Sequence, residues 1–214
     1  IDARVAGALE AYAAGAGRLS RLRTEGGRRL SAQVEKEIST LAMKKARFEV
    51  RIETSPQKEL DPAGARDTGL DGVEFLLSPN PGEEMRPLRK IASGGELSRI
   101  MLALKTVGKE KAGLKTLIFD EIDSGIGGQT AECLAEKLRD LAIRHQVICI
   151  THLPQIAKFG DHHFKISKHV ASGRTRTAIT LLSADDRTRE IARMLGGEKI
   201  THVTIEHARE LLKK

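Results

Sequence analysis

Ser93-Gly94-Gly95-Glu96-Leu97-Ser98-Arg99 and Leu117-Ile118-Phe119-Asp120-Glu121-Ile122-Asp123 are the two stretches of this 214-residue chain whose residue types bear most directly on chemistry. The first places two glycines at the mouth of an amphipathic helix. A helix N-terminus offers N–H groups without intrahelical partners and a partial positive charge, which suits a phosphate. The second is an apolar run ending in two adjacent carboxylates. At the end of a buried strand, Asp120 suits the Mg²⁺ that accompanies a nucleotide, and Glu121 suits the orientation of an attacking water. The sequence contains no Gly-x-x-x-x-Gly-Lys-Ser/Thr loop to cradle the phosphates. Gly108-Lys109 comes nearest, but Ala103 stands where the first glycine is needed and Glu110 follows the lysine. The cradle is therefore expected from outside this chain.

Ser93 and Glu96 also fit the Ser-x-x-Glu capping box. Capping accounts for a helix start. It does not account for paired glycines, which weaken a helix and are useful where a ligand must approach the backbone. The helix is expected to run from Ser93 to about Lys109, with Leu97, Met101, Leu104 and Val107 inward. Strands are expected at 116–120 and 147–151, separated by a helix over 128–144. Both are continuous apolar runs, the pattern of a parallel sheet covered on both faces. Ligands of such sheets bind beyond the carboxyl ends of the strands. Asp120, Glu121 and His152 all fall there.

Upstream, Val5, Leu9, Tyr12, Ala16, Leu19 and Leu22 recur at helical spacing, as do Leu30, Val34, Ile38 and Leu41. Residues 1–45 therefore read as helix, either the end of a coiled-coil arm or one member of an amphipathic helix pair. Gly26-Gly27 interrupts the stripe and is a candidate bend. At Phe48 to Glu53 the period changes to two, a half-buried strand. A Pro- and Gly-containing loop over 55–71 leads to a second strand, Val73–Leu77, antiparallel to the first. After His152 a short helix should follow Pro154. Strands near 164–167 and 177–182 and helices near 185–195 and 201–213 complete the chain.

The formal charge is +7, concentrated as +5 over residues 1–47 and +4 over residues 83–115. Such a bias fits contact with a polyanion and equally fits a solvated helix face. Aromatic content of 3% without Trp argues against a platform for stacked single-stranded bases. Any nucleic-acid contact would be mainly to phosphates. No apolar run approaches the ~20 residues that span a bilayer. There is no signal peptide, and a chain starting at Ile1 without an initiator Met reads as a fragment. Cys133 and Cys149 lie in apolar surroundings without metal-ligand spacing and read as buried thiols of a reducing compartment. His162-His163 and the His202/His207 pair lack a convincing ligand set.

Taken in order, the Ser-Gly-Gly-Glu-Leu-Ser-Arg stretch, Ile118 to Asp123, and Thr151-His152-Leu153-Pro154-Gln155-Ile156-Ala157 resemble the C-terminal half of an SMC-like ABC ATPase head. Asp123-Ser124-Gly125-Ile126-Gly127-Gly128 and Ala192-Arg193-Met194-Leu195-Gly196-Gly197 narrow the likeness to the bacterial DNA-repair members of that family. It covers roughly residues 46–214, with residues 1–45 matching the returning coiled-coil segment.

The resemblance implies an α/β fold: the C-terminal lobe of the ATPase head, a RecA-like, mostly parallel sheet with helices, plus an N-terminal coiled-coil helix. It implies ATP and Mg²⁺. Ser93, Gly94 and Gly95, with Glu96, would meet the γ-phosphate of a nucleotide held by a second head. Asp120 would support Mg²⁺ through water, Glu121 would polarise the attacking water, and His152 would contact the γ-phosphate. Asp123 is counted with the nucleotide-contacting set. Related heads carry an aspartate where Gly127 stands; Asp123 or the Gly125–Gly128 backbone would substitute for it.

The implied partners are an N-terminal lobe of the same protein carrying the phosphate cradle, a second head in a homodimer, and DNA through its phosphates, with no membrane. The implied location is the bacterial cytoplasm, at the nucleoid. The implied function is ATP-dependent repair of DNA breaks, with this chain inactive by itself. Because the lobe would supply the other strands, uncovered apolar surface is expected here. Two other readings stand beside this one: the nucleotide-binding domain of an ABC transporter, and a non-catalytic DNA-bridging fragment. The heptad-like lead-in and the Leu-Pro-Gln after His152 count against the transporter.

Overall fold

The apolar spacing at the start of the chain produces one long helix, α1 (Asp2–Ser39), in the computed structural model of this protein. The structure describes residues 2–54, 65–108, 113–171, 174–197 and 199–213. They form two compact units, Ile1–Lys109 and Glu110–Lys214, so α1 and the strands that follow it share one unit.

In the first unit α1 continues through Gly26-Gly27 as helix. Gly27 has a packing reason: a Cβ there would lie 3.2 Å from Val50 Cγ1, so its absence lets a strand come close. The helix stops at Ser39, short of the expected Lys45, and the chain reverses through Ala42 at a φ of 61°. Val34 and Ile38 on its second half are fully buried, whereas Val5 and Leu22 on its first half are exposed.

Strands β1 (Arg47–Thr54) and β2 (Asp71–Ser78) pair antiparallel from Arg47↔Ser78 to Thr54↔Asp71. A short strand β3 (Arg86–Pro87) extends the sheet beyond β2, and residues 55–64 of the expected loop lie outside the described residues. On the other side of β1 the helix completes the edge. Phe48 N donates to Glu35 Oε1 at 2.9 Å and Val50 N to Ser31 Oγ at 3.0 Å. These bonds satisfy strand donors that would otherwise need water or another chain. Asp71 adds a second tie, accepting from Ser20, Arg23 and Thr54. Burial alone would raise its carboxyl, and these three hydrogen bonds, with the Arg23 charge, hold it below the usual aspartate range.

Helix α2 (Gly94–Val107) closes the unit, packing on α1. Its inward face differs from the expected one. Gly95, Arg99, Ile100, Leu102 and Ala103 are buried, while Met101 is exposed. The expected stripe took Leu97, Met101, Leu104 and Val107 and passed over Ile100, Leu102 and Ala103, an equally apolar set and the one the fold buries.

In the second unit β4 (Thr116–Phe119) and β5 (Gln146–Cys149) pair in parallel, joined through α3 (Gly128–Ala142). Ala131, Leu134, Ala135, Leu138 and Leu141 form the buried stripe of α3, and Phe119 is buried on the sheet. The alternate residues are not covered: Ile118, Ile148 and Ile150 are 66%, 45% and 47% exposed, so one face of this sheet lacks a covering layer among the described residues of its unit. Helix α4 (Pro154–Ala157) follows, with its Pro in the first turn. Next come β6 (Phe164–Ala171) and β7 (Arg174–Leu181), an antiparallel pair longer than the sequence predicts.

Helices α5 (Ala184–Gly196) and α6 (His202–Leu212) pack on each other around Ile191, Ala192 and Ala208. A Cβ at Gly196 would come within 2.8 Å of Thr204 Cγ2, which explains a glycine where α5 meets α6. Buried Glu190 on α5 bonds Lys165 of β6 and Arg193 of its own helix, tying hairpin to helix. No helix among the described residues is long and apolar enough to cross a membrane.

Candidate active site at the strand ends

Parallel pairing brings the ends of β4 and β5 side by side. Phe119 pairs with Cys149, and one step later Ile150 N donates to Phe119 O at 2.9 Å. The chain then turns away on both strands. Asp120 and Glu121 leave β4 into solvent, and Thr151 and His152 leave β5. The apolar runs end here because the sheet ends here, so carboxylates and imidazole can reach water while their neighbours remain in the core.

Asp120 Oδ1 accepts from the Glu121 backbone N at 2.9 Å, which fixes the first carboxylate against its own turn. Glu121 sits at a φ of 54°, in the left-handed region that non-glycine residues seldom occupy. Two successive turns follow, Ser124 N to Glu121 O and Ile126 N to Asp123 O. They carry the chain to Gly125 at a φ of 70° and to Gly128 at 53°, positions where glycine is favoured. Gly127 is different. Its backbone is extended and a Cβ there would meet nothing within 4 Å, so neither space nor conformation requires a glycine there.

Asp123 is the residue the sequence places least well. It is only 3% exposed, and its Oδ2 meets three groups. Thr151 Oγ1 donates at 2.6 Å, His152 N at 2.9 Å and His152 Nδ1 lies at 3.0 Å. Thr151 in turn accepts from Leu153 N at 3.0 Å. The carboxylate expected among nucleotide-contacting groups is thus turned inward, where it holds the β5 loop. The His152 ring at the other end of this network is 73% exposed. Thr151, to which the motif reading gave no role, is part of the network; the signal was a hydroxyl directly before the histidine at the end of an apolar strand.

Cys149 lies next to this network. Burial, then the charges of Asp123 and Asp120, push its thiol up to about 12, so it carries no thiolate chemistry near neutral pH. Among the described residues no three His, Cys, Asp or Glu side chains gather as metal ligands. A single exposed carboxylate such as Asp120 still fits Mg²⁺, which keeps several waters and takes its remaining ligands from phosphates.

The glycine-led helix belongs to the other unit. Ser93 Oγ accepts from Glu96 N at 3.3 Å, and Leu97 N bonds Ser93 O at 3.0 Å. The Ser93 half of the capping box is formed, while the Glu96 carboxylate acts electrostatically on Arg99. By helix geometry the N–H groups of Gly94 and Gly95 have no carbonyl one turn back. Gly94 is exposed and Gly95 buried.

No protein-family model matches the chain. Individual relatives do. It is 44% identical over 195 residues to the DNA repair protein RecN of Halalkalibacterium halodurans, covering 91% of this chain and 34% of the relative. To RecN of Xylella fastidiosa it is 40% identical over 214 residues, covering 100% of this chain and 38% of the relative. The chain belongs to the RecN family. It spans little more than a third of the length of the curated RecN proteins it matches. Among solved structures, the Smc head domain of Pyrococcus yayanosii, determined with a coiled coil and joint, superposes with a TM-score of 0.51 at 16% identity. That match covers 83% of this chain and 30% of the other. The fold is therefore that of an SMC-type ATPase head lobe, and RecN membership rests on the sequence.

Proposed function

We propose that this chain is the C-terminal part of a RecN ATPase head that hydrolyses ATP in the repair of DNA breaks, with its catalytic groups at the ends of β4 and β5. The observation that carries the reading is the convergence of Asp120, Glu121, Asp123, Thr151 and His152 on one rim of a parallel sheet, in a chain of RecN sequence. Asp120 offers a carboxylate to Mg²⁺, directly or through water. The ion would supply charge neutralisation at the phosphates. Glu121 is exposed and accepts a proton from, or orients, the attacking water. His152 presents an imidazole to the terminal phosphate. The N–H groups at the mouth of α2, with Ser93, suit the phosphate of a nucleotide bound to a second head. Binding energy from that contact would make ATP the link between two heads. The missing phosphate cradle comes from an N-terminal lobe of the same protein, which also covers Ile118, Ile148 and Ile150. DNA is met through its phosphates, in keeping with the basic bias and the scarcity of aromatic residues.

The test is ATP turnover by the full-length protein. Glu121→Gln keeps the shape of the side chain but accepts a proton poorly. It should bind ATP normally and lose about 10²–10⁴-fold in hydrolysis. Turnover at the parent rate in that variant would place the water-activating group elsewhere. A full-length parent that binds DNA but never hydrolyses ATP would instead support a bridging protein without catalysis.

A further inference from the structure

Asp123 has the properties of a group that works through another residue. It is buried and three residues beyond Asp120, yet its two hydrogen bonds and one ion-pair contact in this network fall on one oxygen and come from Thr151 and His152, in the turn after β5. His152 supplies two of these contacts, a hydrogen bond from its backbone N at 2.9 Å and the approach of its Nδ1 to 3.0 Å. A ring gripped at both its backbone and one nitrogen has little freedom about its side-chain torsions. A carboxylate oxygen can only accept, so an Nδ1 this close to it suits the Nδ1–H form of the ring. Nε2 then lies on the far side of a ring that is 73% exposed.

We propose that Asp123 is a positioning residue for His152: it fixes the Nδ1–H form of the imidazole and turns Nε2 toward the nucleotide. The proposal rests on the ATPase reading above. It assigns Asp123 a task other than touching nucleotide or replacing the aspartate absent at Gly127. It also sets the form in which His152 meets a phosphate. With Nδ1–H committed to Asp123, donation to a phosphate oxygen needs a second hydrogen on Nε2. Thr151 completes the arrangement: its hydroxyl donates to Asp123 and accepts from Leu153 N, which ties the carboxylate to the turn after β5. Both ends of the pair are thus fixed by backbone.

Two measurements on the full-length protein test this. In protein labelled with ¹⁵N-histidine, the ring signals assigned by their loss in His152→Ala should show hydrogen on Nδ1. In Asp123→Asn that preference should weaken, since a neutral amide replaces the carboxylate. A parent ring protonated on Nε2 alone would overturn the proposal. In steady-state ATP hydrolysis, Asp123→Asn should lower kcat by about 10–100-fold with little change in KM, by analogy with the loss of a partner that orients a metal-ligating imidazole. The double variant Asp123→Asn/His152→Ala should be no slower than His152→Ala alone, because a group acting only through His152 has nothing left to lose. A further loss in the double variant would show that Asp123 acts independently, as a structural or nucleotide-contacting group, and would overturn the assignment. A parent without ATPase activity sinks the ATPase reading, and the nitrogen signals then decide the Asp123–His152 pairing by themselves.

Discussion

Asp123 and Glu190 are both buried carboxylates of the second unit, and they are satisfied in opposite ways. Glu190 faces two cations: Lys165 on one oxygen, and Arg193 on the other through Nε at 3.0 Å and Nη2 at 2.6 Å. Asp123 faces a hydroxyl, a backbone amide and an imidazole, all on a single oxygen. Glu190 joins a hairpin to a helix, and its partners are fixed charges whose role ends with the contact. Asp123 holds a ring whose other nitrogen is left to meet something else. Burial of a carboxylate alone does not distinguish architecture from chemistry. What its partners do with their remaining atoms does.

Stability measurements should separate the two most widely. Glu190→Gln removes the charge that both Lys165 and Arg193 address and should lower the stability of the α5 region by about 1.5–3 kcal/mol. Asp123→Asn keeps an acceptor for uncharged donors and should cost about 1 kcal/mol. Amide hydrogen exchange in α5 and in the turn after β4 reads each region separately. A larger loss at Asp123 than at Glu190 would break the comparison.

Acid should act next, and on Glu190. Burial works to raise its carboxyl, but the hydrogen bonds from Arg193 and Lys165 outweigh it and hold the group below the ordinary glutamate value of 4.5. The unfolded chain therefore takes up protons before the folded one as pH falls. The stabilisation is complete above that value and is lost as pH drops through the depressed one. Unfolding free energies of the parent and Glu190→Gln, measured from pH 7 downward, should converge; parallel curves would show that the pairing adds no pH-dependent stability.

The smallest effect concerns Cys149. Its thiol, raised to about 12 by burial first and Asp123 second, should resist alkylation in the folded protein at pH 9. Asp123→Asn removes one of the charges and should speed the reaction only modestly, since burial remains. Rapid modification of the folded parent would place Cys149 in a different environment.

Much of this framework was legible in the sequence, for identifiable reasons. The period-two run from Phe48 predicts β1, and two apolar runs predict the parallel pair; local patterning decides both. The strand-end location of Asp120 and His152 follows from where those runs stop. What escaped depended on partners distant along the chain. Asp123 looks like one more acid after Asp120 and Glu121, and only the return of Thr151 beside it makes it an interior residue. Arg99 is buried on α2, which apolar spacing alone does not register. Gly26-Gly27 read as a bend because propensity cannot show that a strand would press against one of the glycines.

That last contact belongs to a row. Gly27, Ser31 and Glu35 lie four residues apart along α1, and they meet Val50 and Phe48, two apart on β1. The helix is thereby keyed to the strand like a toothed rack. A slide by one residue would rotate the row away from the sheet and break both hydrogen bonds. The next setting that returns the same face lies about one turn away, roughly 5.4 Å along the axis. A pull on the helix would therefore be resisted without creep until the teeth disengage, so the strand would feel tension in the helix as a step.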